Sequence, residues 1–307
     1  MPIQILGDLR VDRGDAILGV QHLGGPKPRQ VLEILLLQLG QPASKEKLID
    51  LLWSGHPPAE AGPTLESKVS VLRRHLQPGA AKTGPLQTVN GGYVIEKSLV
   101  ALDLEQFDTL LQLAHQSMPA QALPLLRQAL ALASGPLLDN ELLPAWADEE
   151  RARHATHVTE ARILAAESAT ALLELDEALS WATVVLQGDQ LNERAWTAFI
   201  LALELAGRHS EGLQAYERCR RILHQELGCA PGQCLRDAQL RLLGATADGE
   251  LSEVLSALLV VHEQIRRFAH PDAAVYVDRP ASGASSPSLR EAGTTIDAFL
   301  RRAFVLA

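Results

Sequence analysis

The stretch that decides the fold runs from Thr64 to Val94. It begins with TLESKVSVLRRHL (Thr64–Leu76), a helical pattern with a polar and partly basic outer face, and about ten residues later it reaches LQTVNGGYV (Leu86–Val94). Asn-Gly between two β-prone runs predicts a hairpin with a two-residue type I′ turn. A helix followed by such a hairpin is the layout of a winged helix-turn-helix, whose third helix enters the DNA major groove. The stretch therefore predicts a DNA-binding domain.

Short segments near the N-terminus complete this small domain. Apolar and polar residues alternate at Ile3–Leu6, Leu9–Asp12 and Ile17–Val20, and glycines interrupt the runs. This pattern predicts a small antiparallel sheet ahead of the helices.

Two further helices are predicted between that sheet and the decisive stretch. Pro26 and Pro28 introduce RQVLEILLLQLG, which Gly40 ends. Ser44 is a good N-cap for KEKLIDLLW, and the third helix is predicted to start after Pro63.

The third helix has one apolar and one polar face. At about 100° per residue, the apolar face carries Leu65, Val69, Leu72 and Leu76 and is expected to pack on the core. The polar face offers arginine or lysine for guanine, hydroxyls for bases or phosphates, and a valine methyl for thymine. We therefore predict that it contacts DNA through Thr64, Ser67, Lys68, Ser70, Val71, Arg73 and Arg74, the two arginines at phosphates.

Four further residues are predicted to contact DNA from outside this helix. Thr88 and Asn90 in the hairpin can hydrogen-bond a phosphate or a groove edge. Arg29 and Lys45 stand at helix starts and are candidate clamps for the DNA backbone. An ordinary solvated helix face and a simple surface turn are the alternatives for these features.

From Leu104 onward the pattern is helical almost without interruption. Glu177-Ala178-Leu179-x-Trp181 returns after 34 residues as Glu211-Gly212-Leu213-x-Ala215-Tyr216, which is the period of tetratricopeptide helix pairs. The alternative is a plain helical bundle. Helices are predicted at roughly 104–116, 119–134, 146–173, 176–187, 193–206, 210–227 and 233–243.

The last 62 residues differ again. Leu251–Phe268 reads as one more amphipathic helix. Asp278–Ser288 is rich in proline, serine and glycine and predicts a flexible linker. Thr294–Leu306 reads as a final apolar helix, expected to dock on its own chain or on another subunit.

Charge divides the chain near Ala101. Residues 1–100 carry a balance of +2, residues 101–245 one of -9, and the remainder one of -2, while every lysine lies before position 100. Only the first part therefore has the sign that attracts phosphates, which favours a DNA-facing head and a protein-facing body.

Other classes of protein are disfavoured. No window of 18 apolar residues suits a membrane span, and Cys219, Cys229 and Cys234 suit a reducing compartment, so we expect a cytoplasmic protein that binds no membrane. His154-x2-His157 lacks further ligands and is predicted to be a pair of surface histidines, not a metal site. No nucleophile or catalytic triad is legible, so we expect no catalytic residues, no metal and no cofactor.

These patterns predict a mainly α protein in which an N-terminal winged helix-turn-helix (α+β) precedes an all-α, tetratricopeptide-like helical solenoid. The predicted domains are 1–98 for DNA binding, 101–245 for the tetratricopeptide-like helices, and 246–307 for additional helices with a linker at about 278–288.

The chain resembles the Streptomyces antibiotic regulatory protein (SARP) family of transcriptional activators. The resemblance lies in LGGPKPRQVLEILLLQLGQPASKEKLIDLLW, PPAEAGPTLESKVSVLRRHL, LQTVNGGYVI, DLEQFDTLL and the block from Leu191 to Leu243, and it covers roughly residues 3–245. It implies an OmpR/PhoB-like winged helix joined to a bacterial transcriptional activation domain. It also implies binding to direct repeats in promoter DNA and recruitment of RNA polymerase, including its sigma factor.

The chain departs from the family in its wing, where relatives often have an arginine and this chain has Thr88-Val89-Asn90-Gly91. Two hypotheses follow. The first is a sequence-specific activator that binds double-stranded DNA as a homodimer on repeated sites. The second is a tetratricopeptide-like protein-interaction or ligand-sensing scaffold whose DNA binding is weak or lost.

Overall fold

The computed structural model describes residues 1–79, 83–140 and 145–269, together with 291, 293–296 and 298. Contacts divide the chain into two compact units, Met1–Asp189 and a second that begins at Gln190. The domain boundaries expected from the sequence stay a prediction. The predicted linker at 278–288 and most of the predicted Thr294–Leu306 helix lie outside the described residues.

The N-terminal part of the first unit contains two small sheets and three helices. Its elements in chain order are β1 (Pro2–Gln4), β2 (Arg10–Asp12), β3 (Ile17–Leu18), α1 (Pro26–Leu37), β4 (Ala43–Ser44), α2 (Lys45–Trp53), α3 (Ala61–Leu76), β5 (Leu86–Val89), β6 (Gly92–Ile95) and β7 (Ala101–Leu102).

The first sheet has the strand order β3-β2-β1-β7. The predicted antiparallel pairing of the first three strands is confirmed. Strand β7 was not predicted, and it pairs in parallel with β1, placing Leu102 beside Ile3. A two-residue strand is too short to show an alternating pattern, so its position follows only from the pairing.

Helices α1 and α2 begin as their sequences predict. Pro26 occupies the first turn of α1, where a missing N–H costs no helical hydrogen bond. The Ser44 hydroxyl accepts from the backbone N–H of Lys47 at 3.1 Å and so caps α2.

Helix α3 begins three residues earlier than predicted, at Ala61. Pro63 lies in its first turn, where the N–H it lacks would have no helical partner, so the proline does not delay the helix. Arg13 donates to the carbonyl of His75 at 2.8 Å and satisfies an acceptor at the other end. The predicted apolar face is confirmed as the buried face, which consists of Leu65, Val69, Leu72 and Leu76.

The second sheet contains the wing, the hairpin of β5 and β6, with β4 along its other edge. The predicted two-residue loop at Asn90 and Gly91 is confirmed, since Val89 pairs with Gly92. The predicted type I′ turn is wrong, because Gly91 has a φ of 75° but Asn90 does not have a positive φ. The Gly91 carbonyl accepts from the backbone N–H of Lys45 at 2.9 Å, so the first residue of α2 holds the turn in place.

The carboxylate of Asp103 joins the first sheet to the helices that follow. It accepts from the backbone N–H groups of Ile5 and Leu6 at 2.9–3.0 Å and from that of Leu104 at 2.8 Å. The carbonyl of Ile5 in turn accepts from Leu138 at 2.9 Å. The N-terminal strand is thus anchored to the helical part through its backbone.

The rest of the first unit consists of packed helices. Helices α6 and α7 pack against each other, and both carry small buried side chains, among them Ala165, Ala169, Ala178 and Ala182. Arg127 on α5 pairs with Glu174, directly before α7, and with Glu177 in the first turn of α7. The bounds are α4 (Asp103–His115), α5 (Pro119–Leu132), α6 (Ala145–Ala171) and α7 (Leu175–Gly188).

The second unit contains α8 (Glu193–Leu205), α9 (His209–Leu227) and α10 (Gln233–Ala269). The prediction of two separate helices at 233–243 and 251–268 is wrong, because α10 is continuous over 37 residues. Gly244 and Gly249 lie inside it. A glycine within a helix costs only about 0.5–1 kcal/mol, which the helix-forming residues on both sides offset.

The prediction that His154 is a surface histidine is wrong, because the residue is buried. Only 5% of it is exposed, and its ring meets that of Phe107 edge-on at 4.9 Å. His157 is exposed and contacts Asp108 at 3.2 Å. One turn of helix separates a core position from a surface position, which the x2 spacing alone could not show.

We expect Asp103→Asn to lower the free energy of unfolding by about 1–3 kcal/mol, because an amide cannot accept from all three backbone N–H groups. Urea unfolding of the full chain measures the change. Asp108→Asn, on the exposed side of the same helix, is the control and should change stability little. Equal effects of the two substitutions would contradict this role of Asp103.

We expect acid to destabilise the protein partly through His154. Burial lowers the pKa of this imidazole, against a raising effect of Asp108, and His157 lowers it further. The unfolded chain therefore takes up the proton first, and stability present above about pH 6.5 is lost as the pH falls. His154→Leu should flatten the pH dependence of the urea midpoint, His157→Gln should not, and an unchanged slope in the leucine variant would refute the prediction.

Candidate nucleic-acid interface

The outer face of α3 carries exposed hydroxyl and guanidinium groups. Ser67, Ser70 and Arg74 are exposed, and Thr64 and Lys68 are half-buried beside them. Neither Lys68 nor Arg74 has an ion-pair partner among the described residues. Both cations are therefore available to an external anion.

Val71 is half-buried on one flank of this face. A Cβ on Gly24 would overlap its Cγ1 atom, so the valine packs closely on the loop before α1. Gly24 has a φ of 81°, which also favours glycine at this position. Part of the methyl surface predicted to contact DNA is thus used in packing.

Arg73 connects α3 to the wing. Its Nη2 donates to the Thr88 hydroxyl at 2.7 Å, and its Nε donates to the Leu86 carbonyl at 3.2 Å. The guanidinium also lies 5.8 Å from the centre of the Tyr93 ring, within reach of a cation–π contact. Arg73 and Thr88 are both predicted from the sequence to contact DNA; in the structure they also contact each other and contribute to the position of the wing.

Gln77 makes a second connection that sequence reasoning missed. Its buried amide accepts from the Leu86 N–H at 2.9 Å and donates to the Leu86 carbonyl at 3.4 Å. A Cβ on Gly84 would overlap this amide, so the glycine makes room for it. The only sequence signal is a glutamine directly after the buried Leu76, which does not reveal its partner.

Lys45 lies at the groove between α3 and the wing. Its Nζ is 2.6 Å from the Glu66 carboxylate and 5.9 Å from the centre of the Tyr93 ring. The hydrogen bond to Glu66 raises the pKa of Lys45, so the ammonium stays charged but is partly neutralised by its partner. An incoming phosphate would compete with Glu66 for it.

The two remaining predicted residues differ in exposure. Asn90 is exposed at the tip of the wing. The Arg29 side chain is only 12% exposed, and its Nε lies 3.6 Å from the buried carboxylate of Glu33. The structure therefore directs this guanidinium to the protein interior.

Part of this surface lines an open groove of about 680 Å³ between α3 and the wing. Hydroxyls of Ser70 and Thr88 and the cations of Lys45, Arg73 and Arg74 face it, with Glu66 as the acidic member. Such a surface can donate hydrogen bonds and balance negative charge. It suits a phosphate backbone better than an apolar ligand.

The fold and this surface define a winged-helix regulator with an appended helical domain. Residues 21–95 match the family described as "Transcriptional regulatory protein, C terminal", and residues 102–243 match the "Bacterial transcriptional activator domain". With the relatives below, these matches place the chain in the Streptomyces antibiotic regulatory protein family of transcriptional regulators.

The regulatory protein DnrI of Streptomyces peucetius is 30% identical over 236 residues, which are 71% of this chain and 84% of DnrI. The regulatory protein AfsR of Streptomyces griseus is 34% identical over 259 residues, or 81% of this chain. The chain spans only a quarter of the length of AfsR. Both are named as regulatory proteins, and the two family matches are those of transcriptional regulators, as expected for a chain that is not an enzyme.

A solved structure has the same architecture. The structure of Mycobacterium tuberculosis EmbR in complex with a low-affinity phosphopeptide aligns with a TM-score of 0.68 and 26% identity, over 83% of this chain and 71% of that one. The predicted mainly α fold with an N-terminal winged helix is thereby confirmed. No described helix is long and apolar enough to cross a membrane.

We expect Gln77→Leu to loosen the wing, because the buried backbone groups of Leu86 lose their partner, at a cost of about 1–3 kcal/mol. Hydrogen exchange followed by NMR should show the Leu86 amide exchanging at least about tenfold faster. Gln87→Leu, which changes a neighbouring half-buried glutamine, is the matched control. Equal protection of Leu86 in both variants would rule out the proposed anchor.

Proposed function

We propose that this chain is a sequence-specific DNA-binding transcriptional activator that places α3 in the major groove of promoter DNA. The outer face of α3 would supply the base and phosphate contacts through Thr64, Ser67, Lys68, Ser70 and Arg74. The tip of the wing at Asn90 would reach the adjacent groove or backbone.

One observation carries the proposal: Lys68 and Arg74 are without described partners on a helix that is rigidly joined to its wing. Arg73 and Gln77 fix the wing to α3, so both elements present one preorganised surface and little ordering is required on binding. In this proposal Arg73 and Thr88 hold the wing, and Lys45 exchanges Glu66 for phosphate. Arg29 has no part in it.

The arrangement of copies on DNA and the contact with RNA polymerase are proposed from membership of the family. Two copies would bind side by side on direct repeats, and the helical domain would recruit RNA polymerase, including its sigma factor. The charge distribution supports this division of labour, since residues 101–245 carry a balance of -9 and would be repelled by DNA phosphates.

We expect Arg74→Glu or Lys68→Glu to abolish specific binding, because each reverses a charge at the DNA surface. The measurement is fluorescence anisotropy across a salt series, with a promoter fragment enriched from genomic DNA by the parent chain. Neutral Arg74→Gln should retain weak binding, and the slope of log K against log salt concentration should be smaller in magnitude by about one. Circular dichroism checks that the fold persists.

Arg153→Glu provides the matched control, because it makes the same charge change on α6 at a residue whose side chain is 57% exposed. It should bind DNA as the parent does. If Arg74→Glu binds as tightly as the parent over the whole salt series, α3 is not the DNA-binding element.

A scaffold with weak or lost DNA binding is the second candidate. It is favoured by the uncharged wing tip and by the pairing of Lys45 with Glu66. A gel shift on genomic fragments at moderate salt separates the two functions. An intact protein that retards no fragment supports the scaffold, and specific retardation supports the regulator.

A further inference from the structure

One acidic side chain lies among the cations of the groove between α3 and the wing. Glu66 belongs to the first half of α3, and 56% of its side chain is exposed. Ser70 and Arg73 follow it by four and seven residues, so all three lie on the side of the helix that lines the groove. A carboxylate on a surface that receives phosphates needs an explanation, because the two negative charges repel each other.

Only part of the hydrogen-bonding capacity of Glu66 is used within the protein. Its Oε1 accepts from the Lys45 ammonium at 2.6 Å, while its Oε2 has no hydrogen bond among the described residues. An ionised carboxylate has about four acceptor sites and no donor. Glu66 can therefore accept further hydrogen bonds from outside the protein, but it can donate none.

The base edges in the major groove differ in whether they can meet such an acceptor. Cytosine presents the N4 amino group, which is a donor, whereas guanine presents two acceptors and thymine an acceptor beside a methyl group. Adenine presents a donor next to an acceptor. A carboxylate therefore pairs best with cytosine and is repelled by guanine and thymine. The N-terminal part of a recognition helix is the part that contacts base edges, and Glu66 lies there.

We propose that Glu66 is a specificity-determining residue, whose carboxylate accepts a hydrogen bond from the N4 amino group of one cytosine in each DNA half-site. This inference rests on the proposed function, since it requires α3 to lie in the major groove. Glu66 adds selectivity and not affinity. Its charge weakens binding to every sequence, and the cytosine amino group offsets most of that effect.

Lys45 couples this base to a phosphate contact. On a site with cytosine, the amino group takes the place of the ammonium as the partner of Glu66, and Lys45 is released to a phosphate. On a site with guanine or thymine, Glu66 keeps Lys45, and one cation is withheld from the DNA backbone. A wrong base therefore loses a hydrogen bond and a phosphate contact together.

Selection from duplexes of randomised sequence by the full chain, followed by sequencing, tests the proposal. At one position of the enriched half-site we expect cytosine to be favoured over guanine and thymine at least about fivefold. Glu66→Gln should move the preference at that position from cytosine to adenine, because a glutamine amide pairs with adenine N6 and N7. The preferences at the other positions should stay as in the parent.

Fluorescence anisotropy over a salt series gives a second readout, which a structural role of Glu66 would not change. On a duplex with guanine in place of that cytosine, Glu66→Gln should bind at least about fivefold more tightly than the parent. The slope of log K against log salt concentration should be larger in magnitude by about one, because Lys45 is released. Glu149→Gln removes the same charge at an exposed residue of α6 and should match the parent in both measurements.

The failure of this inference is distinguishable from the failure of the proposed function. A parent chain that enriches no sequence would overturn both. If the parent enriches a sequence, three results overturn the role of Glu66 alone: Glu66→Gln keeps the preferences of the parent, the affected position holds a base other than cytosine in the parent's sites, or Glu66→Gln weakens binding to every duplex alike. Circular dichroism of Glu66→Gln should be unchanged, since the residue is exposed.

Discussion

The backbone hydrogen bonds of Asp103 are the constraint on which the first unit depends. A carboxylate at the start of α4 accepts from Ile5 and Leu6, directly after the strand that lies between β2 and β7. Without this acceptor, two amides next to a central strand would lack partners in a partly buried site. One side chain therefore fixes the N-terminal strand, and through it the first sheet, against the helices of the regulatory domain.

Local patterns were sufficient to predict most of the fold. The amphipathic period of α3, the Ser44 cap and the Asn-Gly loop depend on nearby residues, so the sequence contains the whole signal. Three features depend on distant residues and could not be predicted. Strand β7 exists only beside β1, the turn at Asn90 is held by the backbone of Lys45, and His154 is buried because Phe107 packs on it.

In the candidate site, too, the sequence predicts what depends on nearby residues and not what depends on distant ones. Periodicity predicts which residues of α3 point outward, and the exposure of Ser67, Ser70 and Arg74 agrees with it. It does not predict which cations already have partners. Arg73 donates to a hydroxyl and a carbonyl of the wing, and Lys45 is paired with the carboxylate of Glu66. Residue types give the total charge of a surface. Which of those charges can still bind an external anion depends on the tertiary contacts that each side chain already makes.

The base of the wing has a further consequence for how such a surface can diversify. A Cβ on Gly92 would overlap the carbonyl of Ala43, so the hairpin lies against β4 with no space for a side chain. The tip, in contrast, is open to solvent at Asn90. Among descendants of this chain, or in a directed-evolution library, substitutions in the hairpin are therefore expected mainly at its tip. There, a single-base change from an asparagine codon to a lysine codon would add a cation without displacing the strands.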